Sequence, residues 1–326
     1  MAKDVIYTNG IIAVKENSLL KDKIFKLCEG SAEDAFRALI ECGFGKGAEV
    51  DSLYDFEKLL QADESDLDAF IREYAPDEAV AAYLLSPRDF HNAKALVKAE
   101  YLNIKVDDML APKGLIEPSQ IAECIKNKAY SGVNEYLAKA IKEACELFGS
   151  EEGNAQVSGA EVGIIFDKAL YEHFSKACSK NSFLKKVVAA KADMTNILTA
   201  LRSQTPEYAS SFYLSGGKLS NETLLKLFNE DVEKAERALD GTDYKDFAKT
   251  CFAQKNAGQP LTEGEKILES FETDLLSKNK YELKRTQPFL YYVFRRRAEN
   301  ANVRILFVCL LAGMNENDLK KRLRSF

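Results

Sequence analysis

The chain is poor in histidine. Among 326 residues there are two, His91 and His173, and neither has Cys or His neighbours at metal-ligand spacing. Cysteine pairs are missing too. The seven cysteines lie at positions 28, 42, 124, 145, 178, 251 and 309, with no C-x-x-C among them. An odd, scattered set without a secretory leader predicts reduced thiols in a cytoplasmic protein. Long apolar runs are absent. The longest, Ile305 to Met314, spans ten residues even with Gly313 counted, where a bilayer span takes about 20. There is no excess of basic residues. A net charge of −6 argues against a general nucleic-acid binder.

Catalytic signatures are equally scarce. "GFGKG" (43–47) hints at a phosphate loop, but Gly47 follows the Lys where Ser or Thr is needed, and the four-residue spacing is missing. With no phosphate loop in the chain, "LSGGK" (214–218) reads as a Gly-rich turn. No G-x-S-x-G nucleophile elbow is present. The acid pairs Asp107-Asp108 and Glu151-Glu152 read as solvated charges. No motif here singles out a catalytic residue or a metal site, although a Ser-His-Asp or Cys-His arrangement assembled only in space stays open.

Helical signals dominate what is there. "SAED" (31–34), "SGAE" (158–161) and "TEGE" (262–265) have the form of capping boxes. "YDFEKLL" (54–60), "FDKALYEHF" (166–174) and "ETLLKLF" (222–228) place apolar residues at helical spacing. Strand-like alternation is confined to "VIYTNGIIAV" (5–14), where Asn9-Gly10 between β-branched residues predicts a hairpin turn. Breaks near 112 and 217 divide the chain into thirds, 1–112, 113–217 and 218–326, predicting three helical units of similar length.

A repeat supports that division. "DFHNAKALVK" starts at Asp89, "DMTNILTALR" at Asp193 and "ENANVRILFV" at Glu299, so acid-x-x-Asn recurs at intervals of 104 and 106 residues. Each copy follows an apolar run, and Pro76, Ser182 and Pro288 precede those runs as helix starters. Residues i and i+3 share a helix face. Asp89 with Asn92, Asp193 with Asn196, and Glu299 with Asn302 therefore point the same way. If that face is buried, each acid must be paired and each amide hydrogen-bonded. The expectation is a polar clamp between adjacent helices, repeated three times, since an enzyme rarely needs three equivalent catalytic sites. An acid/base or ion site is the competing reading.

Positive charge gathers near the C-terminus. Between Lys278 and Arg304 eight Lys or Arg face two acids, and Lys320-Lys321-Arg322 and Arg324 follow. Arg295, Arg296 and Arg297 span about 200° of a helix circumference. They read either as a solvated face or as a docking patch for an acidic partner.

The ordered landmarks "YTNGIIAVKENSLL", "RDFHNAKALVKAEY", "LAPKGLI", "KADMTNILTALRS", "SFYLSGGKL" and "RAENANVRILFV…AGMNENDLKKRLR" run the whole length. The chain resembles the C subunit of the A/V-type rotary ATPases, the counterpart of the d subunit of the vacuolar proton pump. It departs from the family's pattern at Ile11, where Arg is frequent, and at Arg297, where Glu is frequent. The resemblance implies an all-α funnel of three similar helical domains about a pseudo-threefold axis. It implies a non-catalytic central-stalk socket, without a cofactor, between the membrane proteolipid ring and the central shaft. Membrane association would run only through the ring, at the cytoplasmic side. The alternative is a free-standing helical scaffold that binds an acidic protein.

Overall fold

The computed structural model describes residues 4–20, 23–106, 109–149, 159–229, 232–278, 280–282 and 284–323. The acid pairs Asp107-Asp108 and Glu151-Glu152, together with Ser158 and Arg324, lie outside the described residues. Within them every regular element is helical. In chain order the α-helices are α1 (Val5–Lys15), α2 (Lys23–Leu27), α3 (Ala32–Glu41), α4 (Phe56–Tyr74), α5 (Glu78–Leu102), α6 (Pro118–Asn127), α7 (Glu135–Gly149) and α8 (Gly159–Ala177). They continue as α9 (Ser182–Arg202), α10 (Pro206–Ser210), α11 (Asn221–Lys226), α12 (Val232–Arg237), α13 (Lys245–Asn256), α14 (Thr262–Ser277), α15 (Gln287–Leu311) and α16 (Glu316–Arg322). No helix of the described residues is long and apolar enough to cross a membrane. The all-α class read from the sequence holds.

The expected hairpin at Asn9-Gly10 is a correction, because both residues lie inside α1. Asp4 caps that helix by accepting from the Ile6 N–H at 2.9 Å. The Asn9 amide donates to the Arg285 carbonyl at 3.0 Å, and the Thr8 hydroxyl to the Tyr74 carbonyl at 3.4 Å. Tertiary anchors override the local turn preference of Asn-Gly, and no second strand exists among the described residues to receive a hairpin.

Two compact units share the chain. One joins Met1–Glu78 to Glu272–Phe326, and the other is Ala79–Phe271. In the first, α4 and α15 run antiparallel. Phe56 stacks on Phe307 at 5.1 Å, whereas fourteen residues later in α4 Phe70 stacks on Phe289 at 5.4 Å. Leu20, Ile24, Leu39 and Leu60 from the N-terminal part pack with Val303, Leu306 and Phe307 of α15 and Leu319 of α16. This core therefore exists only when the two ends of the chain meet.

The second unit holds two cores of one plan. Phe90, Ala93 and Val97 of α5 pack against α6, α7 and α8. Met194, Ile197 and Leu201 of α9 pack against α11, α12 and α13. In each case a long helix is followed by a returning loop and then by the helices that cover it. The three longest apolar helices of the repeat, α5, α9 and α15, are buried around much of their circumference. A helix buried on all sides has no solvent face for polar groups. Any carboxylate or amide on it must find a protein partner.

Candidate functional site

All six residues of the repeated pairs are buried, and Asp89, Asp193 and Glu299 are each 0% exposed. What satisfies them differs from helix to helix.

On α5, the Asp89 carboxylate accepts from two main-chain amides of the returning loop, Leu115 N–H at 2.9 Å and Ile116 N–H at 3.1 Å. One turn on, the Asn92 side chain binds one loop residue at both ends. Its Nδ2 donates to the Ala111 carbonyl at 3.1 Å, and its Oδ1 accepts from the Ala111 N–H at 2.8 Å. The α9 site repeats the design. Asp193 accepts from Lys218 N–H and Leu219 N–H, each at 2.9 Å. Asn196 donates to the Leu214 carbonyl at 2.9 Å and accepts from its N–H at 2.7 Å. Tyr244, just ahead of α13, adds a further donor, its Oη lying 2.8 Å from Asp193 Oδ2. Burial and then the adjacent carboxylate push the Tyr244 phenol well above its ordinary pKa, so it stays a donor.

The adjacent-helix partners expected from the sequence are thus corrected for these two sites. Main-chain amides of the loop after the same helix donate to both acids, and Tyr244 adds a side-chain donor at Asp193. Each loop carries a glycine just before its two donor amides, Gly114 and Gly217. A Cβ at Gly114 would overlap the Asp89 carboxylate and come within 2.8 Å of the Leu85 carbonyl. A Cβ at Gly217 would overlap the Asp193 carboxylate. Only glycine lets the backbone come that close. The signal is present in "LAPKGLI" and "LSGGK", where the glycine follows the acid by 25 and 24 residues, but it has no meaning until the loop is seen folded back.

On α15 a side chain is among the partners. Arg296 donates from Nε to Asp63 Oδ2 at 2.9 Å, and its Nη2 pairs with Asp63 Oδ1. Its Nη1 reaches Glu299 Oε2 and the Ser18 carbonyl, both at 3.2 Å. The guanidinium sits over the Phe44 ring at 4.9 Å. Burial opposes its charge, while Asp63 and Glu299 more than restore it, leaving its pKa above the ordinary value. Arg296 is therefore removed from the docking candidates. At 100° per residue it shares a face with Glu299 and Asn300 and points into the core; Arg295 and Arg297, on either side, are half-buried. Arg304, exposed, binds Glu57 through Nε and Nη2, each at 3.1 Å, and reaches Glu64 at 3.6 Å.

The two histidines are dispersed. His173 of α8 lies 3.0 Å from the Ser86 hydroxyl and against the Phe90 and Tyr136 rings. Ser86 is fully buried, so this Ser-His contact is a packing bond without substrate access. His91, exposed, meets the Met109 carbonyl at 3.0 Å. In "GFGKG" the tight residue is Gly45, where a Cβ would come within 2.7 Å of the Leu59 backbone. That turn is shaped by packing. A surface cavity of about 780 Å³, lined by Lys139, Glu143, Ile165, Lys168 and Phe212, contains none of the repeated pairs. No group of three metal-ligating side chains occurs among the described residues.

The carboxylates of Asp89, Asp193 and Glu299 are each fully buried and each meets a donor of the chain itself.

Comparison with known proteins agrees along the whole length. A family model described as ATP synthase (C/AC39) subunit matches residues 8–322. The C subunit of the V-type sodium ATPase of Enterococcus hirae is 23% identical over 320 residues, covering 95% of this chain and 92% of that protein. The C subunit of the V-type ATP synthase of Thermus thermophilus is 23% identical over 250 residues, covering 75% of this chain and 77% of that one.

Proposed function

This chain belongs to the ATP synthase (C/AC39) subunit family, and we propose that it is the non-catalytic central-stalk subunit of a V/A-type rotary ATPase. In this reading it is a socket that links the membrane proteolipid ring to the central shaft and carries torque between them. The observation that carries the reading is the family match over residues 8–322. The relatives' names place them in V-type ATPases and ATP synthases, and this chain takes the same kind of place, peripheral to the membrane and attached through the ring.

The geometry supports a mechanical part. A socket must pass force without local unfolding, and close-packed interiors deform little. Each of the three long helices carries a buried acid and a buried Asn one turn apart. We read those six residues, Asp89, Asn92, Asp193, Asn196, Glu299 and Asn302, as structural clamps. The three modules 1–112, 113–217 and 218–326 then form a funnel about a pseudo-threefold axis. Arg295 and Arg297 belong to the contact with ring or shaft.

The test is purification of the tagged chain from membranes in mild detergent. Ring and shaft subunits are expected in stoichiometric amounts. Recovery of the chain alone, or with an unrelated acidic protein, would overturn the reading in favour of a free-standing scaffold. Within the complex, Arg295→Glu with Arg297→Glu is expected to weaken retention of the chain.

A further inference from the structure

Helix α1 is built inside out. Its inward face carries Thr8, Asn9 and Ile12, all buried. Two of those three are polar, and both are anchored to main-chain carbonyls. Its outward face carries Ile6, Tyr7 and Val14, at 55%, 62% and 72% exposure. Gly10 and Ala13 are exposed between them. At 100° per residue these five positions fall within about 120° of arc. Apart from the Tyr7 phenol, no ionisable side chain lies between Asp4 and Lys15. A surface helix ordinarily does the reverse, burying its apolar stripe.

Gly10 is a second, independent oddity. Glycine inside a helix is destabilising, and here, as at Gly163 of α8, no described residue packs close against it. A Cβ at Gly10 would meet no atom of the described residues within 4 Å, and its φ is not in the left-handed region. By contrast Gly45, Gly114 and Gly217 are each explained by a close internal neighbour. The open space over Gly10 lies on the apolar stripe, at its centre.

We propose that the outward face of α1 docks an uncharged apolar helix of a neighbouring subunit, with a bulky side chain of that helix seated over Gly10. The inference rests on the rotary-complex reading above. Two observations select this occupant. The stripe holds no charge for a charged surface to pair with. Its three large side chains expose on the order of 300 Å², well short of the ~800 Å² per partner that a stable dimer needs. A second copy of this chain would not be held by it, whereas one helix contact inside a larger assembly needs no more.

The test compares the full-length tagged chain with Gly10→Leu and, separately, Val14→Lys, both scored for Tm and for co-purifying subunits. Because Gly10 faces open space, Gly10→Leu is expected to keep or raise the Tm of the isolated chain while reducing recovery of ring and shaft at least tenfold. Val14→Lys should reproduce the loss of recovery with an unchanged Tm. Full recovery with either variant would overturn the proposal and leave the rotary reading standing. A wild-type chain that recovers neither ring nor shaft would overturn both. Two controls on the isolated wild-type chain complete the set. A micromolar dimer that Gly10→Leu abolishes, or binding to protein-free phosphatidylcholine vesicles, would overturn the proposal by reassigning the stripe to a second copy or to lipid.

Discussion

In the unit Ala79–Phe271 the buried acids of the repeat accept from main-chain amides, whereas in the unit that joins the chain ends the buried acid has a guanidinium among its partners. Asp89 and Asp193 receive N–H donors from loops 25 to 27 residues downstream. Glu299 meets Arg296, which in turn holds Asp63, 233 residues away in sequence. The same position in the repeat thus sits in two settings. In one unit the acid binds a loop close by in sequence. In the other it belongs to an ion-paired group that spans N-terminal and C-terminal sequence. The difference has an energetic consequence. A side-chain partner can be mutated away together with the acid, but a backbone N–H cannot.

The largest effects should fall on the backbone-bound acids. Asp193→Ala strands the Lys218 and Leu219 amides and the Tyr244 hydroxyl. At ~1–3 kcal/mol per buried unsatisfied group, the three groups give a loss of roughly 3–9 kcal/mol. No apolar replacement at 193 should recover it, and an unfolding free energy within ~1 kcal/mol of wild type, from denaturant titration, would break the comparison on this side. Asp63→Leu alone should cost a similar ~3–5 kcal/mol, because Arg296 is left buried without its main partner. Replacing the set, Asp63→Leu with Arg296→Met and Glu299→Leu, should return stability to within ~2 kcal/mol of wild type or exceed it. If the triple variant is as damaged as the single, the knot is not exchangeable and the distinction between the units is lost.

How much of this is legible in the sequence follows the same division. The three long helices are readable because an acid and an Asn interrupt otherwise apolar runs, and polar residues in such a setting announce themselves. Their partners are not readable. A bond from a side chain to a main-chain N–H leaves no residue-type signature, except where the approach demands glycine, as at Gly114 and Gly217. Asp63 is invisible for another reason, since nothing local links α4 to α15 across the length of the chain. Arg296 reads as part of a docking patch because three arginines in a row look alike until the helix phase is known. Local rules also fail where tertiary contacts compete. Asn9-Gly10 is helical under anchors from Tyr74 and Arg285. "TEGE" loses its capping box to Gln254 of α13, whose Oε1 accepts from the Glu263 and Gly264 amides at 3.2 and 3.4 Å.

The loop glycines sharpen the comparison at a smaller scale. Gly114→Ala and Gly217→Ala each force a methyl against a fixed carboxylate, and overpacking of this kind costs ~1–3 kcal/mol. Gly163, inside α8 with open space where a methyl group would stand, supplies the control. Gly163→Ala should stabilise by about 0.5–1 kcal/mol through helix propensity alone. Thermal unfolding of the three variants reads the contrast directly, and equal shifts in all three would mean the loops tolerate retreat from the acids.

The smallest effect separates the units by pH. Both histidines lie in Ala79–Phe271 and none in the other unit. Burial lowers the pKa of His173 below 6.5. Above 6.5 the imidazole is neutral whether the chain is folded or not. As pH falls from there toward the lower folded value, the unfolded chain takes up a proton that the folded one refuses, so stability declines. Once pH passes below the folded value, both states are protonated and the slope from this group ends. Between pH 7.5 and 5.5, amide exchange protection in α5 and α8 should therefore weaken as pH drops, after correction for intrinsic exchange. His173→Phe, placed among Phe90, Tyr136 and Phe174, should flatten that trend. Protection in α4 and α15 should follow the same course in both proteins. An identical slope in α5 and α8 with and without the imidazole would show that His173 does not set the acid response of its unit.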